Sequence, residues 1–177
     1  MRYVFCFLLL VWGCEKDSGT TVSETQIEAS QPAPVENVDD IVIDVPLDPK
    51  TKMIEEFMDL INDHRISLGL STLDHTDGLQ EIAQGHSQNM ASGNVAFGHT
   101  GFSTRCSLGR TVIGGGNLCA ENVATGQKTV EAAFNAWMNS SGHRANIEQA
   151  RVTHTGFGFA QSSSGVWYWT QIFLEKN

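Results

Sequence analysis

The segment 166–174 constrains the fold of this chain more than any other. Both sets of its alternating side chains are apolar or aromatic: Trp167, Trp169 and Phe173 on one side, Tyr168, Ile172 and Leu174 on the other. A strand that is apolar on both faces needs a layer of structure above it and another below it. Segment 153–160 precedes it across a Ser-rich turn, so the two are predicted to form a hairpin in a sheet covered on both sides.

Three segments repeat apolar residues at three- and four-residue intervals, which is typical of helices. The first begins at Asp48, an N-cap residue type, has Pro49 at its first helical position and ends at Gly69. The second and third span about residues 77–90 and 129–139. Helices around such a hairpin predict an α+β protein, a three-layer α-β-α sandwich, and periodicity leaves the strand order open.

Two groups on these helices are interpreted as structural. His86 shares the apolar face of the second helix and is predicted to be an interior histidine. His64 and Arg65, near the end of the first helix, are predicted to form a solvated or structural edge. The chain around His99 and the Gly114-Gly115-Gly116 run are interpreted as loops.

The N-terminus is typical of an export signal. Met1-Arg2 supplies a positive start, and residues 3–12 are an apolar run shorter than the about 20 residues of a membrane-spanning helix. Val11-Trp12-Gly13-Cys14 resembles the bacterial lipobox, although Trp12 is a poor fit. We therefore predict a lipoprotein signal peptide at 1–13 and a lipidated Cys14 that anchors the protein to a membrane. The alternative is an ordinary secretory signal cleaved nearby.

Residues 14–47 are predicted to be an acidic, disordered tether, and residues 48–177 the folded domain. Segment 15–50 holds nine acids and two bases, so most of the net charge of −9 belongs to the tether. A segment so polar and rich in proline buries too little apolar surface to fold. No cluster of Lys and Arg is present to displace phosphate counterions, which argues against a nucleic-acid partner.

The predicted export of the chain determines the expected state of its four cysteines. Cys6 lies in the signal and Cys14 is modified, so the domain keeps Cys106 and Cys119. In an oxidising envelope these two are predicted to form a disulfide that steadies the segment before Glu121. Two free thiols or two metal ligands are the alternatives.

Two histidines and a glutamate in polar, Gly-rich segments are the candidate site: His99, Glu121 and His143. Imidazole nitrogen and carboxylate oxygen both ligate zinc, and three such ligands with an open fourth position are typical of a reactive metal site. The spacing matches neither a zinc finger nor the His-Glu-x-x-His motif. A hydrogen-bonded polar cluster that only positions loops is the alternative.

Seven pieces of the sequence, in this order, are similar to one known family. They are Asn62-Asp63-His64-Arg65, His86-Ser87-Gln88-Asn89, Gly98-His99, Glu121-Asn122-Val123-Ala124, Gly142-His143-Arg144-Ala145-Asn146-Ile147, Gly156-Phe157-Gly158 and Trp167-Tyr168-Trp169-Thr170-Gln171. Together they resemble the bacterial branch of the CAP superfamily (SCP; cysteine-rich secretory, antigen 5, pathogenesis-related-1) over about residues 53–174. The resemblance implies an α-β-α sandwich.

The resemblance also implies a central cleft. Animal and plant members build it from two His and two Glu that are reported to bind a divalent metal. His99, Glu121 and His143 match three of these positions, whereas the second Glu falls where this chain has Asn139 or Ser140. The resemblance thus implies a zinc site with at most three protein ligands.

Three functions follow as hypotheses. The leading one is an extracytoplasmic, lipid-anchored protein of the bacterial cell envelope, or a secreted one, whose cleft binds a lipid, a wall polymer or another protein. It draws on binding roles reported in the resembling family and on the lack of a Gly-x-Ser-x-Gly nucleophile motif. The second is a protease-like hydrolase in which His99 and His143 ligate zinc and Glu121 is a ligand or general base. The third is a structural or host-contact surface protein.

Overall fold

The computed structural model describes residues 46–176. The predicted signal peptide, the lipidated Cys14 and nearly all of the predicted tether lie outside these residues. Within the described range, none of the helices combines the length and apolar character needed to cross a membrane.

Five helices and four strands follow one another within residues 46–176: α1 (Pro49–Ser67), β1 (Asp74–His75), α2 (Asp77–Ala91), α3 (Phe102–Ile113), β2 (Cys119–Thr125), α4 (Val130–Met138), α5 (Ser141–Ile147), β3 (His154–Gln161) and β4 (Trp167–Leu174). The Asp48 carboxylate caps α1 by accepting the backbone N–H groups of Lys50 and Thr51 at 2.9 and 3.1 Å. Asp48 and Pro49 thus begin the helix as predicted.

The four strands form one sheet in the order β1-β3-β4-β2. The predicted hairpin is β3–β4, antiparallel, with Phe157 opposite Gln171. β2 pairs antiparallel with the other edge of β4, which places Glu121 opposite Ile172. The two-residue β1 pairs parallel with β3. β4 is therefore a central strand, in agreement with its two apolar faces.

Helices cover both faces of the sheet, which confirms the predicted three layers. On one face α1 and α4 pack on the aromatic set of β4, and the buried residues there include Phe57, Trp137, Phe157, Trp169 and Phe173. On the other face α2 and α3 pack on the aliphatic set, with Leu79, Ala83, Ile113, Ile172 and Leu174. The alternation in β4 therefore assigns its side chains to two separate cores.

The α2 layer lies directly on the backbone of β3. A Cβ at Gly156 would overlap the backbone of α2 at Leu79 and Gln80, and one at Gly158 would overlap that of Ala83. Glycine is therefore required at both positions by close approach rather than by backbone conformation.

Two structural predictions concern histidine and arginine. His86 is 3% exposed, which confirms the interior assignment. Arg65 is structural and fully buried, not solvated. Its guanidinium donates to four backbone carbonyls, those of Ser71, Ile147, Gln149 and Val152, at 2.6 to 3.4 Å. It thereby joins α1 to the chain around the end of α5.

Candidate functional site

Glu121 is the centre of the candidate site. It lies on β2 opposite Ile172, so its side chain shares the face of the sheet that α2 and α3 cover. Its side chain is 1% exposed. A carboxylate buried to this degree needs partners that offset the loss of water.

Arg105 of α3 is the main partner of that carboxylate. Its Nε donates to Oε2 of Glu121 at 2.6 Å and its Nη2 to Oε1 at 2.8 Å, a two-pronged ion pair. Its Nη1 donates to the carbonyl of Thr100 at 2.7 Å, which also ties down the loop that follows His99. The sequence interpretation missed Arg105. The signal that could have found it is Glu121 itself, because an acid in the same strand as the apolar pair Val123-Ala124 is expected to be buried only with a cation nearby.

His99 is the second partner of Glu121. Its Nδ1 lies 2.8 Å from Oε1, while its side chain remains 51% exposed. Because a carboxylate oxygen accepts, Nδ1 carries the proton, and in the neutral ring Nε2 keeps a free lone pair. The ring lies edge-on to Phe102 at 6.4 Å between centroids. His99 thus offers an acceptor and an aromatic surface to solvent, and Glu121 fixes its orientation.

His143 lies near His99 but makes no hydrogen bond to Glu121 among the described residues. The pKa of His143 is lowered, first by burial and second by the positive charge that His99 can carry. It lies on α5, where its backbone carbonyl accepts from the side chain of Asn122 at 3.1 Å. The structure therefore brings His99 and Glu121 into contact and leaves His143 beside them.

An asparagine pair joins α5 to β2. The Nδ2 atom of Asn146 lies 2.9 Å from Oδ1 of Asn122 and 3.3 Å from the backbone carbonyl of Glu121. Asn122 is fully buried, so this pair fixes the distance between the helix and the strand. Asn139 and Ser140 are the residues between α4 and α5, at the C-cap and the N-cap respectively.

His86 of α2 holds the backbone next to His99 through a hydrogen bond to Gly98. Its Nε2 lies 2.8 Å from the carbonyl of Gly98, so Nε2 carries the proton and donates. Burial is the main cause that lowers the pKa of His86, which favours the neutral ring. A neutral His86 is therefore a fixed support for the backbone that precedes His99.

The predicted disulfide between Cys106 and Cys119 is confirmed. It joins α3 to the first residue of β2, beside Arg105 and two residues before Glu121. The bond therefore holds together the two elements that supply the buried ion pair. Neither cysteine is available as a free thiol or as a metal ligand.

An open cleft of about 450 Å³ lies over these groups. It is lined by His99, Phe102, Cys119, Ala120, Glu121 and Asn146. Its polar side chains are those of His99, Glu121 and Asn146, and its apolar lining is the ring of Phe102 with Cys119 and Ala120. Such a surface is suited to binding a polar ligand that has a flat face.

The residues present do not fit the metal site that the resemblance implies. Both oxygens of Glu121 are taken by Arg105 and His99, and the guanidinium places a full positive charge where a cation would bind. Among residues 46–176 no three His, Cys, Asp or Glu side chains are placed to hold an ion. Two imidazoles are fewer ligands than the three of a catalytic zinc site, so we derive no step through a metal.

The layers, the hairpin and the cleft define a small α-β-α domain with a ligand-sized cleft of mixed polarity beside its disulfide. The family model described as the cysteine-rich secretory protein family, CAP, matches residues 58–173. The chain belongs to this family.

Bacterial relatives agree with this assignment. YkwD of Bacillus subtilis is 37% identical over 128 residues, which are 69% of this chain and 47% of YkwD. An extracellular SCP-domain protein of Bacillus anthracis is 29% identical, with a TM-score of 0.59 over 75% of this chain and 45% of that one. An outer surface protein of Borrelia burgdorferi, 20% identical, shares the fold with a TM-score of 0.61 over 74% of this chain and 97% of that one. The chain spans less than half the length of the curated relatives it matches.

Proposed function

We propose that this chain is an extracytoplasmic binding protein of the bacterial envelope, anchored by lipid at Cys14, whose cleft binds a wall polymer of sugars and peptides. The observation that carries the proposal is the half-exposed His99 ring, oriented by the buried Glu121–Arg105 pair at the edge of an open cleft of mixed polarity. The predicted export signal and the resemblance of Val11-Trp12-Gly13-Cys14 to a lipobox support the location. The names of two relatives, an extracellular and an outer surface protein, support it as well.

The cleft offers the contacts that a sugar or peptide needs. The free Nε2 of His99 accepts a hydroxyl or amide proton, and the ring of Phe102 gives a flat apolar face for stacking. The Oδ1 of Asn146 is a further acceptor, because only its Nδ2 is used within the described residues. The cleft is open and mixed in polarity, which suits a polymer better than an enclosed lipid tail.

The hydrolase hypothesis lacks the groups it needs. Both carboxylate oxygens of Glu121 already accept hydrogen bonds from Arg105 or His99, so a water molecule would have to compete with these donors for the carboxylate. Zinc calorimetry tests the hypothesis directly. We expect the wild type to show no saturable zinc binding, and saturable binding that His99→Ala abolishes would restore the hydrolase hypothesis.

The test of the proposed function is co-sedimentation of the full-length chain, purified in detergent, with insoluble peptidoglycan. We expect the wild type to sediment with the polymer, and His99→Ala and Phe102→Ala each to reduce the affinity about tenfold, which corresponds to about 1.4 kcal/mol. Phe97→Ala is the matched control, since Phe97 is an aromatic residue that is 51% exposed outside the cleft. No sedimentation by the wild type, or equal losses in the Phe97 and Phe102 variants, would refute the proposal.

A further inference from the structure

A second cavity, of about 550 Å³, adjoins the cleft. Phe102 and Cys119 line both, so one extended ligand can reach from the first into the second. We call the second cavity the arginine groove. Its charged lining residues are Arg110 and Arg151, and no Asp or Glu is among its lining residues.

The charge of Arg151 is already compensated. Its Nε and Nη2 donate to the two carboxylate oxygens of Glu175 at 3.0 and 2.8 Å. This pair contributes no net charge to the groove. The remaining charge is that of Arg110.

Arg110 has no carboxylate partner within residues 46–176. Its Nε donates to the carbonyl of Gly116 at 3.0 Å, and its Nη2 lies 3.4 Å from the carbonyl of Asn117. These neutral acceptors orient the guanidinium without cancelling its charge, and Nη1 is not used by them. Arg110 is therefore a partly buried cation whose charge no carboxylate within residues 46–176 compensates.

The loop that orients Arg110 is firmly held. The N–H of Gly115 donates to the carbonyl of Arg110 at 2.8 Å at the end of α3. Gly116 has a φ of 111°, and a Cβ there would overlap the backbone of Glu175, so only glycine fits. Since the disulfide closes the other side of the loop, the guanidinium is set in place before any ligand arrives.

We propose that the arginine groove binds an anionic group, a carboxylate or a phosphate, of the same polymer that occupies the cleft. The proposal rests on the proposed function, because it assigns the charge of that ligand. A guanidinium fork matches the geometry of both groups and binds them through paired hydrogen bonds. The cleft then recognises the neutral sugar or peptide part of the polymer, and the arginine groove recognises the anionic group of the same polymer.

The test follows the arginine side-chain Nε–Hε signals and the His99 ring signals of the full-length chain in detergent by NMR. Three probes are added separately: muramyl dipeptide, its amidated form without the terminal carboxylate, and glycerol 1-phosphate. We expect the Arg110 signal to shift saturably with one or both charged probes and to stay fixed with the amidated one. A shift with muramyl dipeptide alone identifies a carboxylate, and a shift with glycerol 1-phosphate alone identifies a phosphate.

Variants separate binding from a purely structural role of Arg110. We expect Arg110→Gln to weaken binding of the effective probe at least about fivefold, and Lys128→Gln to leave it unchanged. Lys128 is the matched control because it is an exposed cation outside the groove. If Arg110→Gln lowers the melting temperature but not the affinity, Arg110 only braces its loop and the proposal is overturned.

The Arg110 and His99 signals report separately on the arginine groove and on the cleft, so failure of one proposal can be told from failure of the other. Shifts at His99 without any at Arg110 would overturn the groove and leave the cleft. With muramyl dipeptide, shifts at Arg110 without any at His99 would support the groove and count against the cleft. Fixed signals at both positions with all three probes would overturn both.

Discussion

Replacing Arg105 by methionine tests whether the Arg105–Glu121 pair stabilises the domain as a buried ion pair. The variant loses two hydrogen bonds to Glu121 and one to the carbonyl of Thr100. It leaves the carboxylate, whose side chain is 1% exposed, with His99 as its remaining partner. Removing one partner of such a pair typically costs about 3–5 kcal/mol, because the other charge stays buried.

The assay is equilibrium urea unfolding of the full-length, oxidised chain, followed by the fluorescence of the buried Trp137 and Trp169. With a slope of about 2 kcal/mol per molar urea, a loss of about 4 kcal/mol lowers the midpoint by about 2 M. The double variant Arg105→Met with Glu121→Met should regain most of the loss, since two apolar side chains can replace a buried pair.

Arg144→Met is the control for this experiment. Arg144 is paired with Glu148 at 4.0 Å and its side chain is 48% exposed, so its loss should cost less than about 1 kcal/mol. A similarly small cost for Arg105→Met would show that Glu121 relaxes towards water and would refute the description of the pair as the rigid base of the cleft. So would a double variant that is no more stable than the single one.

The remaining predictions concern stability and pH. Arg65→Met should cost at least about 3 kcal/mol in urea unfolding, because several buried carbonyls lose a charged donor. Replacing both cysteines of the disulfide by alanine should cost about 3 kcal/mol, from a sequence separation of 13 residues, and reduction of the wild type should cost the same. Burial lowers the pKa of His75, His86 and His143, so the unfolded chain binds protons that the folded chain does not. Stability should therefore be full above the ordinary histidine pKa of about 6.5 and be lost as pH falls through the lowered values, and the melting temperature of His143→Gln should depend less on pH.

The sequence predicted the layers because their signal is local. The two apolar faces of β4 required a covering layer on each side, and Asp48 with Pro49 marked the start of α1. The pairing of β2 with β4 carries no such local signal, since it joins Cys119 to Leu174 across 55 residues of chain. Strand order therefore came from the structure.

The sequence did not predict α3, and Arg105 was missed with it. The N-cap of this helix is Gly101, which makes no side-chain hydrogen bond, and Gly109 lies in the interior of the helix. An interior glycine weakens a helix in isolation, and a glycine N-cap gives no Ser, Thr, Asp or Asn signal to mark where the helix starts. Gly109 is explained by packing, because a Cβ there would overlap the side chain of Leu174. The helix thus forms through tertiary contact and the disulfide, which a single sequence does not display.

The charge of the cleft depends on Arg105 and on the residue at the position of the second glutamate. An arrangement of two neutral histidines and two glutamates carries two negative charges, which attract a divalent cation. Here Asn139 or Ser140 replaces the second acid, and Arg105 cancels the charge of Glu121. The Glu121–Arg105 pair then carries no net charge. A cation gains little from such a site, whereas a hydroxyl, an amide or an anion can bind to it, which is why we assign the cleft and the arginine groove to a polar, anionic polymer.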